Sequence, residues 1–398
     1  MDMRQKAGGD ITVRLLTDNE KYRTRPLYEE AFPEDGPEVT DCYYKVKMNS
    51  NRVFAALSGT GHVSGMLCLN PYRVMVRGTE YPLNYIVAVA TEKARRREGI
   101  MRSVLTEALL FQRKQSEELR ARGLPGIPFT YLKPANPAYY TPFGFAYISR
   151  RERRRPGEET FRKFRVETPD LAAASAAGEA LPSVWGEIAD FMNEFLGRRY
   201  EVRCRRDARY LRDLAEELAS GDGELLLYRG ENGEIAGTAA FDEPGLPPEA
   251  ARLLLPEEYL EAPEKAPEPF MMGRIVDLEE LLKAAAGKQG REGSRGRNES
   301  RGRDESFRFV FADPLIPANS GVWSLDISAG GDVSATRQPE PKGEDAHLPV
   351  FTPEELAPLL LGYRGPGEGC GNLEAALSER ALCELIPPVR GVYFDEEM

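Results

Sequence analysis

The chain has 398 residues, 41% of them hydrophobic, and a net charge of −11, which is too long for one hydrophobic core and predicts two or three domains. The acidic balance excludes a general affinity for nucleic acid or anionic membrane, because phosphate binding needs a basic surface. No apolar run approaches the ~20 residues that span a bilayer, and two histidines (His62 and His347) with five cysteines in neither even count nor ligand spacing leave no zinc site and no Ser-His-Asp triad.

The opening MDMRQKAGGD carries no secretory apolar run, so a reducing cytoplasm is expected. Residues 11–17 alternate like a strand, and Asp18 is placed to cap a helix running to Phe32. Two strand-like runs, Val53–Leu57 and Val63–Leu69, flank the turn SGTGH, and two more, Arg73–Val76 and Pro82–Ala90, flank RGTE. Ile100, Val104, Leu105, Ala108, Leu109 and Phe111 mark one face of a helix over Gly99–Ala121. Strands at Phe129–Leu132 and Phe145–Ile148 close the first unit. The charged run RRERRRPGEE that follows reads as a solvated linker, or as arginines reaching coenzyme phosphates.

A second unit opens with helices around Pro182–Leu196 and Arg206–Ala219. Its hairpin LLLYRGENGEIAGTAAF (225–241) has the length of VFAALSGTGHVSGMLCL (53–69), with glycines at the same offsets, Gly61 and Gly65 against Gly233 and Gly237. Equal length and matching glycines predict a duplicated fold. After the Pro/Glu/Ala-rich stretch 261–269 comes a third unit: a strand in MMGRIVD, a helix Leu278–Ala286 capped by Asp277, strands FRFVFAD and VWSLDIS, helices Pro353–Leu361 and Leu373–Leu385, and a last strand in GVYFDEEM. Between them, residues 287–306 lack any large apolar side chain and read as a flexible loop. The expected division is 1–155, 156–267 and 268–398.

The segment richest in chemistry is IVAVATEKARRREGIMRSVLTEALL (86–110), a strand, a basic loop and a helix. Unpaired N–H groups and the positive dipole end at the helix start suit a pyrophosphate, with Gly99 sparing the backbone a Cβ that would hold the phosphate away. The loop Arg96–Gly99 with Ile100, Met101 and Arg102 resembles the acetyl-CoA signature of the GNAT superfamily, with Met101 in place of its last small residue and Glu98 where a basic residue is usual. Together with PANPAYYTPFGFAYI (134–148), the D-P-x-x-P-x-N-x-G-x-W run at Asp313–Trp323 and LAPLLLGYRG, it is similar to the enhanced-intracellular-survival (Eis) family along nearly the whole chain.

That resemblance implies a mixed α/β, α+β fold of tandem GNAT units, the second degenerate, followed by a sterol-carrier-like domain. It implies acetyl-CoA as co-substrate without a metal, and a homo-oligomer, hexamers being common in the family. Tyr140, in Y-T-P-F-G-F, matches the family's general acid, and the terminal carboxylate of Met398 its general base. Backbone groups of Val87, Ala88 and Val89 are expected to hold the pantetheine arm, with Ala135 and Asn136 a second coenzyme contact.

Amine acetylation needs a deprotonated nitrogen, a polarised thioester and a proton for the leaving thiolate. A phenol of pKa ~10 is close enough to a thiol to supply that proton. Tyr139 competes with Tyr140; in a strand-turn segment neighbours point to opposite sides, so only one faces the sulfur. A terminal carboxylate of pKa ~3.5 is a poor base unless burial raises it or water relays the proton. Asp395, Glu396 and Glu397 read as a solvated tail or a cation-attracting rim, while GVYF argues for docking. The expected acceptor is a primary amine: a small cation, an aminoglycoside-like compound or a lysine. The competing reading is a non-catalytic protein that binds a lipid or small molecule in the sterol-carrier-like domain.

Overall fold

Strand β1 (Ile11–Leu15) pairs antiparallel with β2 (Arg52–Ser58), β2 with β3 (Val63–Val76) and β3 with β4 (Thr79–Thr91). The computed structural model that shows this describes residues 11–175, 183–287, 304–328, 333–340 and 342–396. The two runs expected at 63–69 and 73–76 are one 14-residue strand, because the interruption NPY stays paired with β4. The helix expected after Asp18 is a 3-10 turn, Asp18–Thr24, followed by α1 (Arg25–Ala31). Its cap is Thr17 and not Asp18: Glu20 accepts from both the Thr17 hydroxyl, at 2.9 Å, and the Thr17 N–H, at 3.1 Å. Helix α2 (Pro37–Lys45) joins α1 against one face of the sheet, and α3 (Ile100–Ala121) packs its apolar stripe against the other.

Beyond β4 the sheet is finished by distant parts of the chain. Strand β5 (Phe129–Leu132) lies parallel to β4, but the next partner outward is not β6 (Ala146–Tyr147). A strand from residues 272–275 sits between β5 and β6, antiparallel to both.

The second unit holds β7 (Arg165–Glu167), α4 (Ser183–Arg199), β8 (Val202–Cys204), α5 (Ala208–Ser220), β9 (Glu224–Arg229), β10 (Ile235–Phe241) and β11 (Arg252–Leu254). Its sheet has the order β11-β10-β9-β7, and its central hairpin repeats that of β2 and β3 position by position. Ala56 faces Gly65 and Leu57 faces Val63, with a bulge between; Tyr228 faces Gly237 and Arg229 faces Ile235, with a bulge at the same place. Gly61 and Gly233 both turn with positive φ, +80° and +83°. A Cβ on Gly65 would stand 2.4 Å from Ile100, and one on Gly237 2.4 Å from Leu255, so each glycine admits an apolar side chain onto the strand. In the copy, β11 is followed by one 3-10 turn, Glu257–Tyr259, and the 261–269 connection, with no helix corresponding to α3 among the described residues. Strand β8 leaves its own unit and joins the far half of β3.

Strand β12 (Met272–Ile275), the one inserted beside β5, opens the last part, followed by α6 (Leu278–Ala286), β13 (Glu305–Phe311), β14 (Gly321–Ile327), β15 (Val333–Gln338), β16 (Val350–Phe351), α7 (Pro353–Leu360), α8 (Leu373–Leu385) and β17 (Val392–Tyr393). Asp277 caps α6 through the Glu280 N–H. Most of the expected loop 287–306 falls outside the described residues; β13 already begins at Glu305. Two arginines of the run RRERRRPGEE are tied to acidic side chains and not free in solvent. Arg154 pairs with Glu152 at 3.0 Å and Glu257 at 3.1 Å, while Arg155 pairs with Glu249, Glu261 and Glu264.

Candidate active site

β4 and β5 share a single register pair, Tyr85 with Tyr131, and then diverge. Past that fork β4 carries a bulge: Cys68 faces Val87, Met66 faces Ala90, and Ala88 takes φ +52°, a conformation unusual for a residue with a Cβ. Diverging strands leave the β5-facing edge of β4 beyond Tyr85 without a neighbouring strand, the requirement for holding an amide-bearing chain such as pantetheine.

The strand delivers the chain to the loop before α3. Gly99 is the N-cap of that helix with φ +81°, and Arg97 has φ +72°. The first intrahelical bond runs from Ser103 N–H to Gly99 C=O at 3.0 Å, so the N–H groups of Ile100, Met101 and Arg102 point out of the helix end without acceptors in it. Gly99 also suits the left-handed turn, and a Cβ there would meet no protein atom within 4 Å, which leaves this side of the loop open.

Around this cradle, Lys93 N–H donates to Glu30 at 2.8 Å, and Arg95 binds both Glu98, at 2.8 Å, and the Ser64 hydroxyl, at 3.1 Å. Arg95 therefore offsets the charge of Glu98. Arg96 and Arg97 are exposed and make no ion pair among the described residues. Ile100 and Met101 turn their side chains to the core, so only their backbone faces the open side, and Arg102 lies 5.1 Å above the Phe143 ring. A diphosphate fits the exposed N–H groups and the two unpaired arginines.

Residues 134–148 are not a strand-turn but two consecutive 3-10 turns, Pro137–Tyr139 and Thr141–Phe143. Ala135 and Asn136 are exposed, and Asn136 caps the first turn by accepting the Ala138 N–H at 3.0 Å. The turns send Tyr139 outward, 58% exposed, and Tyr140 inward, 7% exposed, edge-on to Phe145. Burial pushes the Tyr140 phenol up to about 12, so it stays protonated at any physiological pH. Arg274 of β12 holds these turns from behind. Its Nε donates to the Phe143 carbonyl at 2.7 Å, while its other nitrogens grip the buried Asp313 at 2.6 and 3.1 Å. Asp313, Asn319 and Trp323 of the D-P-x-x-P-x-N-x-G-x-W run are thus a brace for the Tyr140 loop: Asn319 donates to Asp313 at 3.0 Å, and Trp323 to the Asn319 carbonyl at 2.8 Å.

The chain's last described residues approach the fork from the opposite side. β17 pairs parallel with β8, and Phe394 stacks on Tyr131 with ring centroids 4.0 Å apart and planes 8° from parallel. Asp395 and Glu396 are not a solvated rim. Both bind the buried Arg206, Glu396 at 2.8 Å, and Arg206 lies 4.1 Å above the Tyr210 ring. Although burial alone raises it, the charges of Arg206 and Arg252 hold the Asp395 carboxyl below its ordinary range; burial, then Asp395, push Glu396 up to about 7. Met398 lies outside the described residues.

Arg206, Arg274 and Tyr131 are the residues that sequence reasoning passed over. Each acts through a contact between distant segments of the chain, which leaves no local pattern. His62 pairs with Glu92 on the surface, and His347 is exposed. Among the described residues no cluster of His, Cys, Asp or Glu could hold a metal, and no helix is long and apolar enough to cross a membrane.

Residues 12–148 match the acetyltransferase (GNAT) domain family and residues 294–394 the sterol carrier protein domain. No curated protein matches the sequence. Among solved structures, a probable N-acyltransferase from Enterococcus faecalis V583 superposes with a TM-score of 0.68 at 16% identity, over 96% of this chain and 100% of the other. A GCN5-related N-acetyltransferase from Kribbella flavida gives 0.63 at 17%, over 98% and 100%. Eis1 from Mycobacterium abscessus gives 0.59 at 13%, again over 98% and 100%. At such identities the likeness is one of fold, and it extends over tandem acetyltransferase units and the sterol-carrier-like part. Residues 12–148 thus carry a GNAT-type acetyltransferase domain, which supports an acetyl-CoA-dependent N-acetyltransferase activity, and the whole chain shares the fold of the solved structures named above.

Proposed function

We propose that the chain transfers acetyl directly from acetyl-CoA to a primary amine, with Tyr140 as general acid and the α-carboxylate of Met398 as general base. The observation that carries this reading is the docked tail: Phe394 lies on Tyr131 where β4 and β5 part, and Arg206 fixes the next two residues. The backbone of Val87, Ala88 and Val89 holds the pantetheine arm. Arg96–Arg102 bind the diphosphate through the helix end and two arginines, and Ala135 and Asn136 flank the arm from the Tyr140 side. The amine attacks the thioester carbon; the C–N bond forms, the C–S bond breaks, and the sulfur takes the Tyr140 proton.

The acceptor is a cationic amine, a polyamine, an aminoglycoside-like compound or a lysine, drawn by a chain of net charge −11. The enzyme works in the cytoplasm as a homo-oligomer, for example a hexamer. Its units are 1–155, which binds the coenzyme; 156–267, a copy that has lost the strand-loop-helix; and 268–398.

The test is acetyl-CoA consumption against a panel of spermidine, tyramine, kanamycin and a lysine peptide, with the native chain and one extended by two alanines after Met398. The extension is expected to lower kcat at least about 100-fold while calorimetric acetyl-CoA binding stays within twofold. Undiminished turnover by the extended chain overturns the base assignment, and a silent panel overturns the acceptor class.

A further inference from the structure

Acetylating an ammonium removes two protons from nitrogen, one before attack and one as the tetrahedral centre collapses. One restores the proton that Tyr140 gives to the coenzyme sulfur, and the other must leave for solvent. A terminal carboxylate of ordinary pKa ~3.5 holds that second proton poorly at neutral pH. Two residues earlier stands a carboxylate that the steps above do not use.

Glu396 is 3% exposed. Its Oε1 accepts from Arg206; Oε2 is buried with no further hydrogen bond of good geometry among the described residues, and the Cys204 thiol and the Asp395 carboxyl interact with the side chain. The side chain lines a chamber of about 10 Å³, room for one water, walled by Lys47, Tyr72, Tyr210, Asp213, Glu217 and Arg252. Tyr72, Tyr210 and Asp213 also line a neighbouring groove of about 170 Å³ that opens to the surface beside Arg205 and Arg209.

The other charges around the chamber have partners. Glu217 is held by Lys47 at 3.5 Å and Arg252 at 3.2 Å, Arg252 also binds Asp242, and Asp395 shares Arg206. From β8 and β5 the thiol of Cys204 and the phenol of Tyr131, 3.4 Å apart, complete the surroundings, and burial keeps both protonated. Burial likewise raises Asp213, against the nearby charges of Lys47 and Arg209.

We propose that Glu396 takes over from the terminal carboxylate the proton that leaves the acceptor amine and passes it, through a water in this chamber, to Asp213 and the outer groove. The second unit, without a coenzyme loop of its own, then serves as the wall of a proton exit. This rests on the reading that brings the tail to the amine.

The experiment follows kcat against pH for the full chain, Glu396→Gln and Asp213→Asn, with acetyl-CoA and the fastest amine of the panel. A base near pH 7 is active when deprotonated, so native kcat rises through that region. Glu396→Gln is expected to remove the rise and to lower kcat roughly 100-fold at pH 7, with KM for acetyl-CoA within twofold. Asp213→Asn is expected to lose about tenfold and to recover with added imidazole, a diffusible base. A folded Glu396→Gln chain that keeps the rise overturns the proposal. Should that variant not fold, Asp213→Asn with native kcat and no response to imidazole overturns it. If the alanine-extended chain is inactive while Glu396→Gln behaves as native, this proposal fails and the tail reading survives; if both behave as native, the tail reading itself fails.

Discussion

At the scale of single residues, the candidate site turns on which of two adjacent tyrosines is buried. The pair was legible in the sequence, but its orientation was not, because alternation belongs to strands and residues 137–143 form 3-10 turns. Tyr140→Phe is expected to lower kcat by about 10²–10³ with acetyl-CoA affinity within twofold by calorimetry, and Tyr139→Phe to change little. The raised phenol pKa sets the sign of the pH dependence: Tyr140 is protonated until well above neutrality, so it contributes no falling limb to kcat up to about pH 10. A native profile that falls near pH 8 and loses the fall in Tyr140→Phe would contradict the burial of this side chain. Glu98 teaches a related lesson. Sequence shows an acid in a basic loop, and only the fold shows Arg95 neutralising it.

At the scale of elements, the strand-loop-helix and the duplicated hairpin were readable because both rest on local spacing: apolar residues along α3, and glycines at matched offsets. The sequence did not reveal that Gly99 turns left-handed, since a glycine that makes room and one that supplies a positive φ look alike. With φ +81°, Gly99→Ala places a Cβ in the left-handed region at a cost of about 1–2 kcal/mol. It also tilts the N–H groups that open α3. Acetyl-CoA affinity is expected to fall about tenfold, a difference of ~1.4 kcal/mol, with no comparable change for Gly233→Ala in the copy that lacks the loop. Equal effects at both glycines would place the coenzyme elsewhere.

At the scale of the whole molecule, the expected three-unit order is present in sequence, but the interlocking is not. β12 enters the first sheet between β5 and β6, β8 extends β3, and β17 is carried on β8. Pairings between segments so far apart have no periodicity to announce them. They make a specific demand on any dissection of the chain. Residues 1–155 expressed alone lack β12, leaving the facing edges of β5 and β6 unpaired, and Arg274 is missing from the Tyr140 turns. That fragment is expected to aggregate or to stay loosely packed, measured by gel filtration and near-ultraviolet circular dichroism. A monomeric fragment that turns over acetyl-CoA would show the inserted strand to be dispensable.

The inserted strand also sets a timetable for synthesis. A ribosome releases the N-terminus first, yet the acetyltransferase sheet has no closing member until residue 275 has cleared the exit tunnel. For more than half of translation the nascent first unit must wait with an open edge, guarded by chaperones or by its own charge. A message truncated before that point yields no partial enzyme.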